Sequence, residues 1–245
     1  MKIPGTGRKI MIRQYKICGI AVACDFRYPT MTARAEKYLS MADEPEIVIP
    51  FDEDGIRRLS SEAGLDEDNC EIVLTAEQFY RRLPERSGFM LHSSAVILDG
   101  KAYLFSAPSG TGKSTHTALW REIFGERAVI LNDDKPAIML RKDGITACGT
   151  PWSGKSDLNI NSEVPLQGIC VLTRSGENYI RPLAANRAVY SLLDQTIRPE
   201  DADAMDALLS CIDRVAANIP VWQMGCNITP EAAKLAYKYM SGTAR

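Results

Sequence analysis

KAYLFSAPSGTGKSTHTALWREIF (residues 101–124) begins as a strand, breaks at a glycine-bearing turn and resumes as a helix. Its centre, Ala107-Pro108-Ser109-Gly110-Thr111-Gly112-Lys113-Ser114, follows the phosphate-loop pattern except at the first position, where alanine stands for glycine. Chemistry explains the pattern. Gly110 and Gly112 let the backbone wrap so that successive N–H groups face inward and approach phosphate closely. The following helix adds its positive N-terminal end. Lys113 supplies a point charge for the β- and γ-phosphates, and the Ser114 hydroxyl suits Mg²⁺. Ser109, Thr111 and Thr115 complete the expected cradle. The ligand so implied is a nucleoside triphosphate with Mg²⁺; ATP is the expected one, although a phosphate loop does not read the base.

Working outward, FMLHSSAVIL (89–98) reads as a strand that returns through the two-residue turn Asp99-Gly100 into KAYLFSA, which brings His92 toward the phosphate end. AVILNDD (128–134) reads as the next strand, ending in Asn132-Asp133-Asp134. Two adjacent acids at a strand end can both reach a site, one holding Mg²⁺ and the other accepting the proton of an attacking hydroxyl. Asn-Asp-Asp would equally favour a plain strand-ending turn. KPAIMLRKDGITACG (135–149) reads as a hairpin turning at Asp143-Gly144, and TPWSGK (150–155) either as a loop carrying Lys155 toward substrate or phosphate or as an ordinary loop with Trp152 packed on the core. VPLQGICVLTR (164–174), ENYIRPL (177–183) and PVWQMGC (220–226) read as strands. ANRAVYSLLDQTI (185–197), residues 199–218 with Pro199 at the start, and the segment opened by Thr229-Pro230-Glu231 read as helices. His116 reads as an exposed or packed helix residue.

Ahead of this core, residues 10–24, 47–51 and 70–75 (CEIVLT) read as strands and the polar stretch 30–43 as a short helix or loop. DEDG (52–55) and DEDN (66–69) read as acidic turns. The expected organisation is therefore a β-rich segment, residues 1–85, packed on an α/β nucleotide-binding domain, residues 86–245.

Composition narrows the function classes. With 29 basic and 31 acidic residues and no basic block, the chain shows no electrostatic footprint for nucleic acid. No apolar stretch reaches the roughly 18 residues that span a bilayer, and Lys16 interrupts the apolar run near the N-terminus, so no membrane partner and a cytoplasmic location are expected. Seven cysteines without a C-x-x-C pair, and two histidines remote from them, point to buried free thiols rather than zinc.

The stretch LHSSAVILDGKAYLFSAPSGTGKSTHTALW, with VILNDDKPAI after it, resembles the catalytic domain of HPr kinase/phosphorylase, a fold related to the nucleotide domain of phosphoenolpyruvate carboxykinase. TPWSGK followed by LNINSEVPLQGICVL also resembles uncharacterised HPr-kinase-like bacterial proteins. The resemblance implies a phosphoenolpyruvate carboxykinase/HPr kinase-like P-loop core with a mixed sheet. It implies that Lys113 binds phosphate, that Ser114, with Asp134 as a candidate, binds Mg²⁺, and that Asp133 or Asp134 serves as base. His92 would contact the transferred group, and self-association into a homo-oligomer would follow the family. The expected reaction is transfer of the γ-phosphoryl of ATP to a hydroxyl, on a protein serine or a small molecule. Two other readings stand beside it: a nucleotide-sensing module with little turnover, and a carboxykinase-like metabolic enzyme.

Overall fold

A computed structural model describes residues 12–41 and 44–242. The absence of a signal-like core at the extreme N-terminus, the start of the first expected strand at residue 10, and residues 42–43 of the polar stretch lie outside the described residues.

The chain runs through β1 (Arg13–Ile17), β2 (Ile20–Cys24), α1 (Pro29–Ala35) and a 3-10 turn, Glu36–Tyr38. It continues through β3 (Ile47–Ile49), α2 (Glu53–Ala63), α3 (Glu67–Tyr80), β4 (Gly88–Met90), β5 (Ser93–Leu98) and β6 (Lys101–Ser106). Then follow α4 (Lys113–Phe124), β7 (Ala128–Asn132), β8 (Ala137–Arg141), β9 (Gly144–Cys148), β10 (Glu163–Arg174) and β11 (Tyr179–Pro182). Helices α5 (Ala185–Asp194) and α6 (Ala202–Asn218), strand β12 (Val221–Cys226) and helix α7 (Pro230–Met240) close it.

The fold is a mixed α/β one. Strands β1, β2 and β3 form one small sheet, and nine strands form a mixed sheet in the order β4-β8-β9-β10-β6-β5-β7, with β12 pairing β10 and β11. Strand β10 spans both parts of the large sheet. Its first residues pair antiparallel with β9, and after an irregularity between Leu166 and Gly168 its remainder runs parallel to β6 and β12. The carboxyl ends of β6, β10 and β12 therefore lie side by side, which is where open α/β sheets present their ligand sites.

Sequence and structure differ in the N-terminal part. CEIVLT lies inside α3, not in a strand. The acidic runs are helix starts: Asp52 accepts from Gly55 N–H and Asp66 from Asn69 N–H, with Glu53, Asp54, Glu67 and Asp68 in the first turns. Those carboxylates satisfy orphan amides and complement the helix dipole, a local signal that outweighs the β-branched run after it. Residues 12–86 thus mix three strands with three α-helices instead of being β-rich. Smaller differences follow similar causes. FMLHSSAVIL is two strands, broken at Leu91-His92. The β8–β9 turn is Lys142-Asp143, one residue earlier than expected, because Arg141 pairs with Gly144. Helix α6 starts after Asp201, whose side chain caps Ala204 N–H, and not at Pro199. Thr229 makes no side-chain cap to α7, since its hydroxyl donates to Asn227 Oδ1 at 2.8 Å.

The core has three parts. One, holding Tyr38, Phe79, Tyr80 and Trp152, joins α1, α3 and the small sheet to β8 and β9. All seven cysteines are free, six of them buried. No helix among the described residues is long and apolar enough to cross a membrane.

Glu71 anchors the entry to α1. Its carboxylate is buried and accepts Arg27 N–H at 2.7 Å and Tyr28 N–H at 3.1 Å. Burial pushes its pKa up to about 7, against the pull of those two amides. The sign follows from linkage. Between the ordinary glutamate range and pH 7 the folded chain holds a proton that the unfolded chain has released, so stability falls as pH rises through that window. The whole swing is about 3 kcal/mol at most. We expect the thermal midpoint of the wild type to fall between pH 5 and pH 8 relative to Glu71→Gln. A parallel pH dependence in the two proteins would remove Glu71 as its source.

Candidate active site

The phosphate loop is built as its residue types require. Strand β6 ends at Ser106, and α4 opens on Gly112 at φ 120° with no side-chain cap. The first-turn amides of α4 are therefore free to meet an anion. Gly110 sits at φ 77° and Gly112 at φ 120°, a conformation L side chains rarely adopt. Ser109, Gly110, Ser114 and Thr115 are exposed at the loop surface, with Thr111 and Gly112 half-buried.

Lys113 turns back under the loop. Its ammonium donates to Ala107 O at 2.9 Å and lies 3.0 Å from His92 Nε2. Burial lowers its pKa, against the attraction of Asp134. The Asp99-Gly100 hairpin is present, with Asp99 at φ 51° and Gly100 at φ 77°, and its register pairs Ser93 with Ser106. That register sets His92 beside the loop.

His92 is a hub. Besides Lys113, its Nε2 lies 3.3 Å from Asp134 Oδ1, while its Nδ1 lies 3.1 Å from Gln195 Oε1. The Gln195 Nε2 group donates to Asp194 Oδ2 at 3.0 Å, which fixes the amide with its oxygen toward the ring. Nδ1 therefore carries a proton toward Gln195, while Nε2 stands between the Lys113 ammonium and the Asp134 carboxylate. The sequence reading missed Gln195, which closes α5 some 103 residues away and carries no motif. One lost hydrogen bond is worth about 1 kcal/mol, a roughly five-fold change in tautomer ratio. In Gln195→Leu we expect the imidazole ¹⁵N shifts of His92 to move toward the Nε2–H form. With only two histidines the assignment is direct. Unchanged shifts would show that Gln195 does not set the tautomer.

The two acids hold different environments. Asn132 organises their turn: its Oδ1 accepts Asp134 N–H at 2.9 Å and Lys135 N–H at 2.7 Å, and its Nδ2 donates to Thr150 O at 3.0 Å. Asp134 faces His92 and is ion-paired with Lys135. Burial opposes its charge, yet the His92 hydrogen bond and Lys135 outweigh it and hold the carboxyl well below the usual range. Asp133 is buried, and its Oδ1 accepts Gly154 N–H at 2.6 Å. Burial pushes its pKa up, with that amide pulling the other way. Lys155, the next residue, is exposed. The structure thus gathers His92, Lys113 and Asp134 into one cluster, with Asp133 on the adjoining turn and Lys155 at the surface of the loop that touches it.

Arg174 is a second residue without a sequence signal. It ends β10, the parallel neighbour of β6, and its guanidinium donates to Gly110 O and, at 3.3 Å, to Thr111 O. It pins the outer turn of the phosphate loop and adds positive charge there. His116 lies on the buried face of α4, where its Nε2 accepts from Trp120 Nε1 at 3.3 Å. Burial lowers its pKa to about 4, as for a packed neutral ring.

The profile described as SynChlorMet cassette protein ScmC matches residues 59–231. The chain belongs to the ScmC family. The match runs from α2 to α7 and so contains the phosphate loop, His92 and both acids. Among solved structures, the ScmC chain is similar to the Hpr(Ser) kinase/phosphatase from Coxiella burnetii, over 64% of this chain and 99% of that one, at 9% identity and a TM-score of 0.39. No curated protein matches the sequence.

The residues fit a nucleotide and its metal. Uncapped amides, two glycines with open space where a Cβ would stand, and a buried lysine suit a phosphate chain. Among the described residues no group of three or more His, Cys, Asp or Glu side chains could cage a metal. Mg²⁺ needs no such cage, since it binds through one or two carboxylates together with substrate phosphates and water. Asp134, held ionised, and the exposed Ser114 hydroxyl are oxygen groups of the kind that could serve it.

Proposed function

We propose that this ScmC-family chain, with a phosphoenolpyruvate carboxykinase/HPr kinase-like P-loop core, is an ATP-dependent phosphotransferase that moves the γ-phosphoryl group to a hydroxyl. The observation that carries the reading is the convergence of Lys113, His92 and Asp134 beside the phosphate loop. The loop amides and Lys113 hold the phosphates and offset their charge. Mg²⁺, when bound through Asp134 and Ser114, neutralises further charge on the phosphate oxygens. Nε2 of His92 faces the place of the transferred group. Asp133 is the base: its Oδ1 is fixed by Gly154 N–H, which leaves Oδ2 for the acceptor. The acceptor oxygen attacks phosphorus, its proton passes to Asp133, and the bond from the γ-phosphorus to the bridging oxygen breaks, releasing ADP.

The test is transfer from γ-labelled ATP to a panel of serine peptides and small alcohols, with and without Mg²⁺. Labelled acceptor that depends on Mg²⁺ supports the reading. Tight ATP binding with no labelled product across the panel would favour a nucleotide sensor instead.

A further inference from the structure

We propose that Arg34, on α1, is a positioning residue that orients Asp133 through a single peptide group. The inference rests on the phosphotransferase reading for its chemistry, and on hydrogen bonds alone for its geometry.

The peptide group in question joins Ser153 to Gly154. Its N–H, on Gly154, donates to Asp133 Oδ1 at 2.6 Å. Its C=O, on Ser153, accepts from Arg34 Nη1 at 3.0 Å. In a trans peptide these two atoms point to opposite sides, so the plane stands between arginine and aspartate as a relay. Arg34 commits its whole guanidinium to the same loop: Nη2 donates to Gly154 O at 3.0 Å, and Nε lies 3.1 Å from Asp157 Oδ1. Its side chain is 10% exposed. A planar fork with donors in fixed directions can hold two successive carbonyls and a carboxylate at once, which an ammonium cannot.

The surroundings make this peptide worth holding. A Cβ at Gly154 would stand 3.2 Å from both Asp133 oxygens, a contact tight enough that the carboxylate would have to shift. Glycine also lets a peptide plane rotate at little cost, so the orientation must be imposed from outside. The neighbouring 3-10 turn imposes it further along. Lys37 donates to Asn159 O at 2.8 Å, Tyr38 OH to Asn159 Oδ1 at 3.0 Å, and Asn159 Nδ2 to Ser153 Oγ at 2.8 Å. The N-terminal helix and the turn after it therefore reach the acid turn through residues 153–159. Donation to a carbonyl strengthens the N–H on the other side of the same plane. With the relay broken, the peptide turns and the carboxylate of Asp133 loses its fixed plane.

Two measurements on the full chain decide it, for wild type, Arg34→Ala and Arg34→Lys. The first is hydrogen exchange of peptides covering residues 150–160 and 107–114. A charge-assisted bond lost from the relay should speed exchange at Gly154 about ten- to hundredfold, with the phosphate-loop peptide unchanged. The second is hydrolysis of Mg²⁺-ATP, with water as the acceptor. Arg34→Ala should lower kcat about tenfold or more while KM for ATP stays within about twofold, and Arg34→Lys should recover part of kcat. Unchanged exchange at Gly154 overturns the relay. Faster exchange with an unchanged kcat overturns the positioning role, as does a rise in KM that matches the fall in kcat. A wild type that binds Mg²⁺-ATP without hydrolysing it or labelling any acceptor would count against the phosphotransferase reading, and the exchange result would still decide the relay. Should Arg34→Ala not fold, Arg34→Gln, whose amide reaches one carbonyl, carries the same comparison.

Discussion

Lys113→Ala should abolish the thermal stabilisation of this chain by Mg²⁺-ATP. A ligand that binds only the folded state, present at about 100 times its Kd, adds roughly 2.7 kcal/mol. For a domain of this size that is a rise of about 5–10 °C. In the variant the rise should vanish at the same nucleotide concentration. The reasoning is geometric and electrostatic. The lysine is anchored by Ala107 O within the loop and is itself the first residue of α4, whose N-terminus has no side-chain cap. Without it the loop keeps its amides but loses the cation that offsets the β- and γ-phosphates. The fold itself should tolerate the change. Burial already disfavours the charged ammonium, so removing it relieves a desolvation cost while it loosens Asp134. The apo midpoint should therefore move little. A nucleotide-induced rise in Lys113→Ala equal to that of the wild type would place the nucleotide somewhere other than residues 107–114.

What could be seen in the sequence, and what could not, follows from how local each signal is. The strand-turn-helix unit around Gly110 and Gly112, and the Asp99-Gly100 hairpin before it, are set by residues within a few positions of one another, and the structure holds both. The placement of His92 then followed from a two-residue turn and strand register. The helices at 53–63 and 67–80 were legible in principle, since Asp52 and Asp66 with acids after them are helix-start chemistry. They were misread because a β-branched run followed the second. Gln195, Arg174 and Arg34 belong to another class. Each acts at 60 or more residues' distance, through a ring nitrogen or a backbone carbonyl, and such partners leave no spacing to read. Asn132 lies between the two classes: it was visible as part of Asn-Asp-Asp, but its role in holding the acid turn needs Thr150, which only folding supplies.

Asp133→Asn should cost two to four orders of magnitude in transfer rate, the usual worth of a positioned general base, and leave Mg²⁺-ATP binding close to wild type. Asparagine keeps the shape and can still accept Gly154 N–H through its oxygen, so the turn should survive. What it cannot do is take the acceptor's proton. Asp134→Asn should behave differently. That carboxylate is the counter-charge for Lys135, lies against His92 and attracts Lys113, so its loss leaves a cluster of cations without compensation and removes a metal donor. Its signature should be weaker dependence on Mg²⁺ and a changed apparent affinity for ATP, together with a lower rate. The contrast between the two is the informative result, because Asp133→Asn removes a proton acceptor and Asp134→Asn removes a counter-charge. If Asp133→Asn transferred phosphate at the wild-type rate and Asp134→Asn lost only rate, the base would be Asp134. The ionised, His92-linked carboxylate would then be the group that meets the acceptor.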